Sequence, residues 1–454
     1  MHDIDIDLVE MSMDMMKYAI GRITERHPHL GRFRKAEELK ALVGETITPE
    51  GIGGETALRL WKDVLSKANI SIDHPRHLAF VAAAPSRAAV MFDLMVSASS
   101  IHGAYWLEGA GGIFAENQAM EWLVSLTGMP DGAFGVFTSG GTLANLSAMV
   151  TARETWRQKN PGNQTRRGII VASSGAHSSV KAMARVIDAD VMLIETEEKL
   201  TGAQLEAFIA GLDTEQQKSL FAVVATGGTT NAGIIDDLSG IAQVSRKFNL
   251  WYHVDCAYGG AALATDFRHL FKGIEEADSV TIDPHKWLFS PYDCGAIIYR
   301  DPALAKAAHG QEGSYLEIFK AADGFNPSDY QIQLTRRLRG LPLWFSLAMH
   351  GTNVYKNAVE KGISLAQTAA EKITENPKLE LVREPSLSCV LFRRRNWGHD
   401  EYYNWTFKNL EDGYALVAPT QWKSQGSMET VVRFCFINPD TTEADIDGIL
   451  KTME

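Results

Sequence analysis

Lys286 stands in the run "SVTIDPHKW", directly after an apolar stretch. Burying an ammonium group is costly unless the charge is paired or removed. A lysine whose pKa is lowered in a partly dry site can add to a carbonyl as a Schiff base. Four other runs place polar or small residues at similar points, each after an apolar stretch. "GVFTSGGT" leads to Gly141 and Thr142, "AHSSV" carries His177, "VVATGGTT" carries Thr226, and "LWYHVDCAYGG" carries Asp255 and Ala257. "SVTIDPHKW" itself adds Ser279, Asp283 and His285.

Each run has a plain reading alone. The Gly-rich run could be a strand–helix turn capped by Thr142, and His177 and Asp255 could cap helices. The spacing of "TSGGT" matches neither a P-loop nor GxGxxG. Taken together they describe one chemistry. A Gly/Thr helix start offers free N–H donors and a positive dipole end to a phosphate, with Ser279 and His285 as further partners. A buried aspartate needs a cation, and it can hold a pyridine nitrogen protonated so that the ring becomes an electron sink. A histidine can stack on that ring. Pyridoxal 5′-phosphate (PLP) asks for this set, with Lys286 carrying its aldehyde.

The elements that must position these residues follow from hydrophobic periodicity. Residues 1 to about 70 contain two amphipathic helical stretches, "LVEMSMDMMKYAIGRI" and "ETALRLWKDVLSKA". From there to about residue 345, seven short apolar runs alternate with helical patterns: "GVF", "GIIVA", "VMLIE", "FAVVAT", "LWYHVD", "SVTID" and "GAIIYR". That rhythm predicts βαβ units and a mostly parallel sheet buried on both faces. Residues 346–454 hold a long helical stretch and then "LSCVLFRR" and "TVVRFCFI", which predict a small C-terminal α+β domain. In open parallel sheets ligands lie at the carboxyl ends of the strands, where the polar residues above are expected.

Composition excludes several classes. The 454 residues carry a net charge of −12, with no basic excess to displace phosphate counterions, so no nucleic-acid partner is expected. The four cysteines, Cys256, Cys294, Cys389 and Cys435, form no CxxC pair, so neither a metal site nor a disulfide framework is expected, and a reduced, cytoplasmic setting fits. No apolar run nears the roughly 18 residues of a membrane span.

The ordered set "GVFTSGGT", "AHSSV", "ATGGTT", "HVDCAYGG", "DPHKW", "PYDCG" and "TRRLRGLPLWF" resembles the group II PLP-dependent amino acid decarboxylases, the family of aromatic-L-amino-acid and glutamate decarboxylases. The resemblance spans about residues 70–350. It implies fold type I, the aspartate-aminotransferase-like class, as a homodimer with active sites at the interface and N-terminal helices packed across the partner. By the same resemblance Lys286 carries the cofactor, Asp255 pairs with the ring nitrogen, and Ala257 and His177 cover the two ring faces. Gly141, Thr142, Ser279 and His285 surround the phosphate, and Thr226 lies near the ring oxygen or the aspartate. The family's mobile-loop tyrosine, which delivers the final proton, corresponds to Tyr330. It stands about three residues closer to the Arg-Arg pair than in the aromatic enzymes, which leaves Tyr315 as a spare candidate.

The resemblance implies decarboxylation of an L-amino acid. "HPRHLAFVAAAPS" and "IHGAYWLEGAGG" are expected to line the substrate pocket. Their alanines, with Trp287 and Tyr292 nearby, favour an aromatic side chain; Arg76, Arg87 and His102 would instead suit an acidic one. An aldehyde synthase, an aminotransferase and a carbon–carbon lyase are the rivals on this scaffold.

Overall fold

The computed structural model describes all residues except 1–5, 26, 82, 83, 312, 321–323 and 425. Each of the seven apolar runs forms a strand: β1 (Phe134–Thr138), β2 (Ile169–Ser173), β3 (Asp190–Ile194), β4 (Leu220–Thr226), β5 (Trp251–Asp255), β6 (Ser279–Ile282) and β7 (Gly295–Tyr299). Among the described residues they make one sheet in the order β1-β7-β6-β5-β4-β2-β3. The pairs β6–β5, β5–β4, β4–β2 and β2–β3 are parallel, and β7 runs antiparallel between β1 and β6.

The apolar runs are continuous because both faces of this sheet are covered. In β4 all seven residues are buried. Val223 and Ala225 face a core shared with Leu205 and Ile241, while Ala222 and Val224 face one shared with Ala148 and Met183. The side-chain alternation of a strand therefore feeds two helical layers at once. Helices Gly202–Ala210 and Leu238–Lys247 lie on the first face, and Gly141–Lys159 and Ser179–Val186 on the second.

A second sheet follows the 24-residue helix Thr352–Glu375. Strands β8 (Leu379–Leu381), β9 (Cys389–Arg394), β10 (Ala418–Ser424) and β11 (Ser427–Cys435) pair antiparallel in the order β10-β11-β9-β8. The α/β architecture with a mostly parallel main sheet and a small C-terminal α+β unit matches the expectation.

A buried ion pair anchors the segment that returns from the loop region. Arg336 Nη1 lies 2.7 Å from Glu116 Oε2 and its Nη2 2.9 Å from Oε1, and both side chains are essentially inaccessible. Arg336 also donates to the carbonyls of Gly103 and Phe137, and the Gly340 N–H donates to Glu116. The remaining polar atoms of the pair are thus largely satisfied, as a buried pair requires. Arg336→Met should leave the Glu116 carboxylate buried and unpaired. The expected loss of stability is about 3–5 kcal/mol, read from urea unfolding; a loss below about 1 kcal/mol would mean that water reaches Glu116.

Candidate active site

The carboxyl ends of β1, β4, β5 and β6 converge on a cavity of about 350 Å³. That size is in the range of small-molecule sites. Gly141, Thr142, His177, Thr226, Asp255, Ala257, His285 and Lys286 all line it, together with Ser139, Asn145, Ser179, Thr230, Tyr258 and Asp283.

Helix Gly141–Lys159 begins at the cavity wall. Gly140 adopts φ +149°, a conformation that favours glycine. At Gly141 a Cβ would sit 2.8 Å from Asp283 Oδ2 and 3.1 Å from the Ala257 methyl, so only hydrogen fits. The backbone can therefore approach a ligand closely, with the first N–H groups of the helix directed at it.

Lys286 Nζ lies 3.0 Å from Asp283 Oδ2. Burial opposes its charge most strongly, but Asp283, Asp255 and Tyr292 together outweigh it, and the lysine pKa is raised. The sequence reading expected a lowered pKa. In the cofactor-free protein the nearby carboxylates reverse that sign. Attack on an aldehyde needs the neutral amine, so capture of PLP by the apoprotein should accelerate by about tenfold per pH unit below the lysine pKa. Asp283→Asn removes the nearest attraction and should shift that profile to lower pH. Stopped-flow absorbance would read it, and an unshifted profile would show that Asp283 does not control the amine.

Asp255 is held from two sides. Its Oδ2 accepts from Asn145 Nδ2 at 2.8 Å and its Oδ1 from the Ala257 N–H at 3.1 Å. His177 Nδ1 accepts from the Ser179 N–H at 3.2 Å, which leaves Nε2 to carry the ring proton. His285 Nδ1 accepts from the Cys294 N–H, and burial lowers the pKa of its ring. Its edge lies 3.2 Å from the position a Gly140 Cβ would take.

Two buried oxygens in the cavity wall have no partner: Thr226 Oγ1 and Asp283 Oδ1. Such groups are costly unless a ligand meets them. With the glycine cradle, the helix start and an aspartate–lysine pair, the donor set fits PLP.

One site reading needs correcting. Ser279 is the first residue of β6, at the amino end, about 13 Å of strand from the ligand end at roughly 3.3 Å per residue. It is fully buried, accepts from Trp251 Nε1 at 2.8 Å and bonds His253 Nδ1 at 2.8 Å, so it does not line the phosphate region. Asp283 occupies the carboxyl end of that run instead. Tyr330 does not line the cavity of its own chain. Its ring stacks on Phe325 at 4.6 Å and 13°, beside β1 and β7. The Tyr315 side chain lies outside the described residues.

Among the described residues, the expected substrate-lining segments do not line this cavity from their own chain. Ala82 and Ala83 fall outside the described residues. Arg76 pairs with Asp445 at 2.7 Å, Arg87 donates to the Ile23 carbonyl, and His102 Nδ1 meets Glu108 at 2.6 Å. Asn145, Ser179 and Asp283 were not assigned roles from sequence. Polar side chains within an otherwise apolar helix face, as in "TLANLSAM", were the available signal.

A fold type I scaffold with an aspartate and a lysine converging at the strand ends defines a PLP-dependent enzyme. The model of the pyridoxal-dependent decarboxylase conserved domain matches residues 55–395, and the chain belongs to that family. It is 31% identical over 398 residues to an aromatic-L-amino-acid decarboxylase of Bacillus atrophaeus, covering 84% of this chain and 81% of that protein. It is 30% identical over 381 residues to an L-2,4-diaminobutyrate decarboxylase of Acinetobacter baumannii, covering 79% and 74%. The Oryza sativa enzyme TDC, solved with PLP and tryptamine, superposes with a TM-score of 0.90 at 21% identity, covering 100% of this chain and 99% of that one. The protein is a PLP-dependent carboxy-lyase acting on an amino acid.

Proposed function

We propose that the protein decarboxylates an aromatic L-amino acid to its amine, as a homodimer, with Lys286 as the cofactor lysine. The observation that carries this reading is the convergence of Lys286, Asp255 and His177 on one cavity beneath a helix N-terminus. PLP held there would supply an electron sink for the bond broken as carbon dioxide leaves. Asp255 would set its carboxylate toward the ring nitrogen, held in place by Asn145 and the Ala257 amide. His177 stands at the cavity wall with its Nε2 proton available to a substrate carboxylate. Gly141, Thr142 and His285 would hold the phosphate, Ala257 and His177 would cover the two ring faces, Thr226 would lie near the ring oxygen or Asp255, and Lys286 would take and return protons at Nζ.

The side-chain preference rests on charge. Among the described residues lining the cavity none is an arginine, and the three basic groups suited to an acidic substrate are engaged elsewhere. An aromatic-L-amino-acid enzyme stands among the relatives, beside one for L-2,4-diaminobutyrate. Dimerisation is supported by the N-terminal helices Ile6–Thr24, Ala36–Val43 and Gly54–Leu60, which bury no residue in the single chain. Ile6, Val9, Met13 and Ile20 stay exposed, a face that asks for cover.

Screening the purified holoenzyme against all proteinogenic amino acids and 2,4-diaminobutyrate tests the substrate reading. Tyrosine, tryptophan or phenylalanine should give amine and carbon dioxide in equal amounts, without ammonia, peroxide or keto acid. Turnover confined to glutamate, aspartate or diaminobutyrate would overturn it. With Tyr330 as the donor of the final proton, Tyr330→Phe should still release carbon dioxide but make aldehyde, ammonia and hydrogen peroxide at the expense of amine. A retained one-to-one yield would remove that role from its hydroxyl.

A further inference from the structure

Behind Asp255 lies a chain of buried side chains. Trp251 Nε1 meets Ser279 Oγ at 2.8 Å, Ser279 Oγ meets His253 Nδ1 at 2.8 Å, His253 Nε2 meets Asn145 Oδ1 at 3.0 Å, and Asn145 Nδ2 meets Asp255 Oδ2 at 2.8 Å. The second amide hydrogen of Asn145 goes to Ser179 Oγ at 3.2 Å, which bonds His177 Nδ1 at 2.9 Å. Ser279 and His253 are fully buried and Asn145 nearly so. They span β5, β6 and helix Gly141–Lys159, so three elements contribute to one circuit.

The direction of the circuit follows from donor chemistry. An indole N–H can only donate, so Ser279 accepts it and has its own O–H left for His253 Nδ1. A neutral His253 then carries its proton on Nε2 and donates to the Asn145 carbonyl. That fixes the Asn145 amide nitrogen toward Asp255 and Ser179. The reverse orientation would press a carbonyl oxygen against a carboxylate. Burial lowers the His253 pKa to about 4, consistent with the neutral ring.

We propose that Trp251, Ser279, His253 and Asn145 form a one-way hydrogen-bond relay that orients Asp255, with His253 as a positioning residue for the reaction and Asn145 as the branch point toward His177. The proposal rests on Asp255 being the partner of the cofactor ring nitrogen. A rigid donor aimed at a buried carboxylate costs no reorganisation when charge develops opposite it. The relay also explains why a serine sits at the far end of β6, one strand length from any ligand.

A double-mutant cycle on the holoenzyme, with the cofactor-free protein as a second readout, tests the relay. His253→Leu should lower kcat by roughly 10–100-fold, the weight of the Asn145–Asp255 hydrogen bond that it would leave unoriented, with KM within about twofold. The PLP dissociation constant measured on apoprotein should rise in parallel. In the Asp255→Asn background the same change should cost under about threefold, because the relay has lost its end point. Ser279→Ala, which removes a single oxygen, should lower kcat several-fold. It should also abolish the Nε2-protonated tautomer of His253 seen by 15N NMR in the parent apoprotein. Additive losses in the cycle, or an Nδ1-protonated His253 in the parent, would overturn the relay. An Asp255→Asn enzyme with parent kinetics would instead overturn the assignment of Asp255, and the relay with it.

Discussion

Lys286→Ala should bind PLP weakly and lose turnover by a factor on the order of 10⁴, the upper range for one positioned acid–base group. Lys286 is the one lysine lining the cavity among the described residues, and its Nζ is held 3.0 Å from Asp283. No neighbouring amine stands ready to replace it. The helix start at Gly141 and Thr142, proposed to hold the phosphate, is untouched by the change, so residual cofactor affinity is expected. Absorbance of the lysine-bound cofactor near the visible should vanish while equilibrium dialysis still detects binding. Retained turnover above about a tenth of the parent rate would show that Lys286 serves only as the counter-charge of Asp283.

Asp255→Asn should lower kcat by about 10²–10⁴, the range one preorganised charge contributes in a water-poor site. The substitution preserves size, but its single oxygen can accept from only one of the two donors, the Ala257 N–H or the Asn145 amide, that now fix Oδ1 and Oδ2. The loss therefore reports the charge and one hydrogen bond rather than packing. Cofactor affinity should fall, and the visible spectrum should shift, because the ring nitrogen would no longer be held protonated. Unchanged kcat and spectrum would mean that Asp255 is only a cap for the turn after β5.

The main sheet was legible because its strands are buried on both faces. Runs such as "FAVVAT" and "GAIIYR" are apolar throughout, and turn residues mark their ends. The polar residues at the carboxyl ends were legible for the same reason: Asp255, Lys286, Gly141 and Thr226 interrupt an otherwise apolar pattern. Ser279 was misread because it shares a short run with Lys286. The four residues of β6 carry Ser279 away from the Asp283 end, and sequence proximity hides that distance. Asp283, at the other end of the run, carried the signal.

What the sequence did not disclose depends on pairing across elements. Asn145 and Asp255 are 110 positions apart, and nothing local in "TLANLSAM" says which strand its amide will meet. The raised pKa of Lys286 likewise comes from two carboxylates on different strand ends. Tyr330 was placed by its spacing from the Arg-Arg pair, and spacing alone did not disclose that its ring stacks on Phe325, five residues earlier. The basic residues assigned to an acidic substrate each meet other partners in the fold, such as Asp445 for Arg76, 369 positions away.

The most direct test is chemical. The purified holoenzyme, reduced with borohydride and digested, should yield the pyridoxyl group on a single peptide containing "DPHKW", at Lys286. The same treatment after incubation with an aromatic amino acid should release the label from the protein as a substrate adduct. A pyridoxyl group found on any other lysine would contradict the site described for this chain.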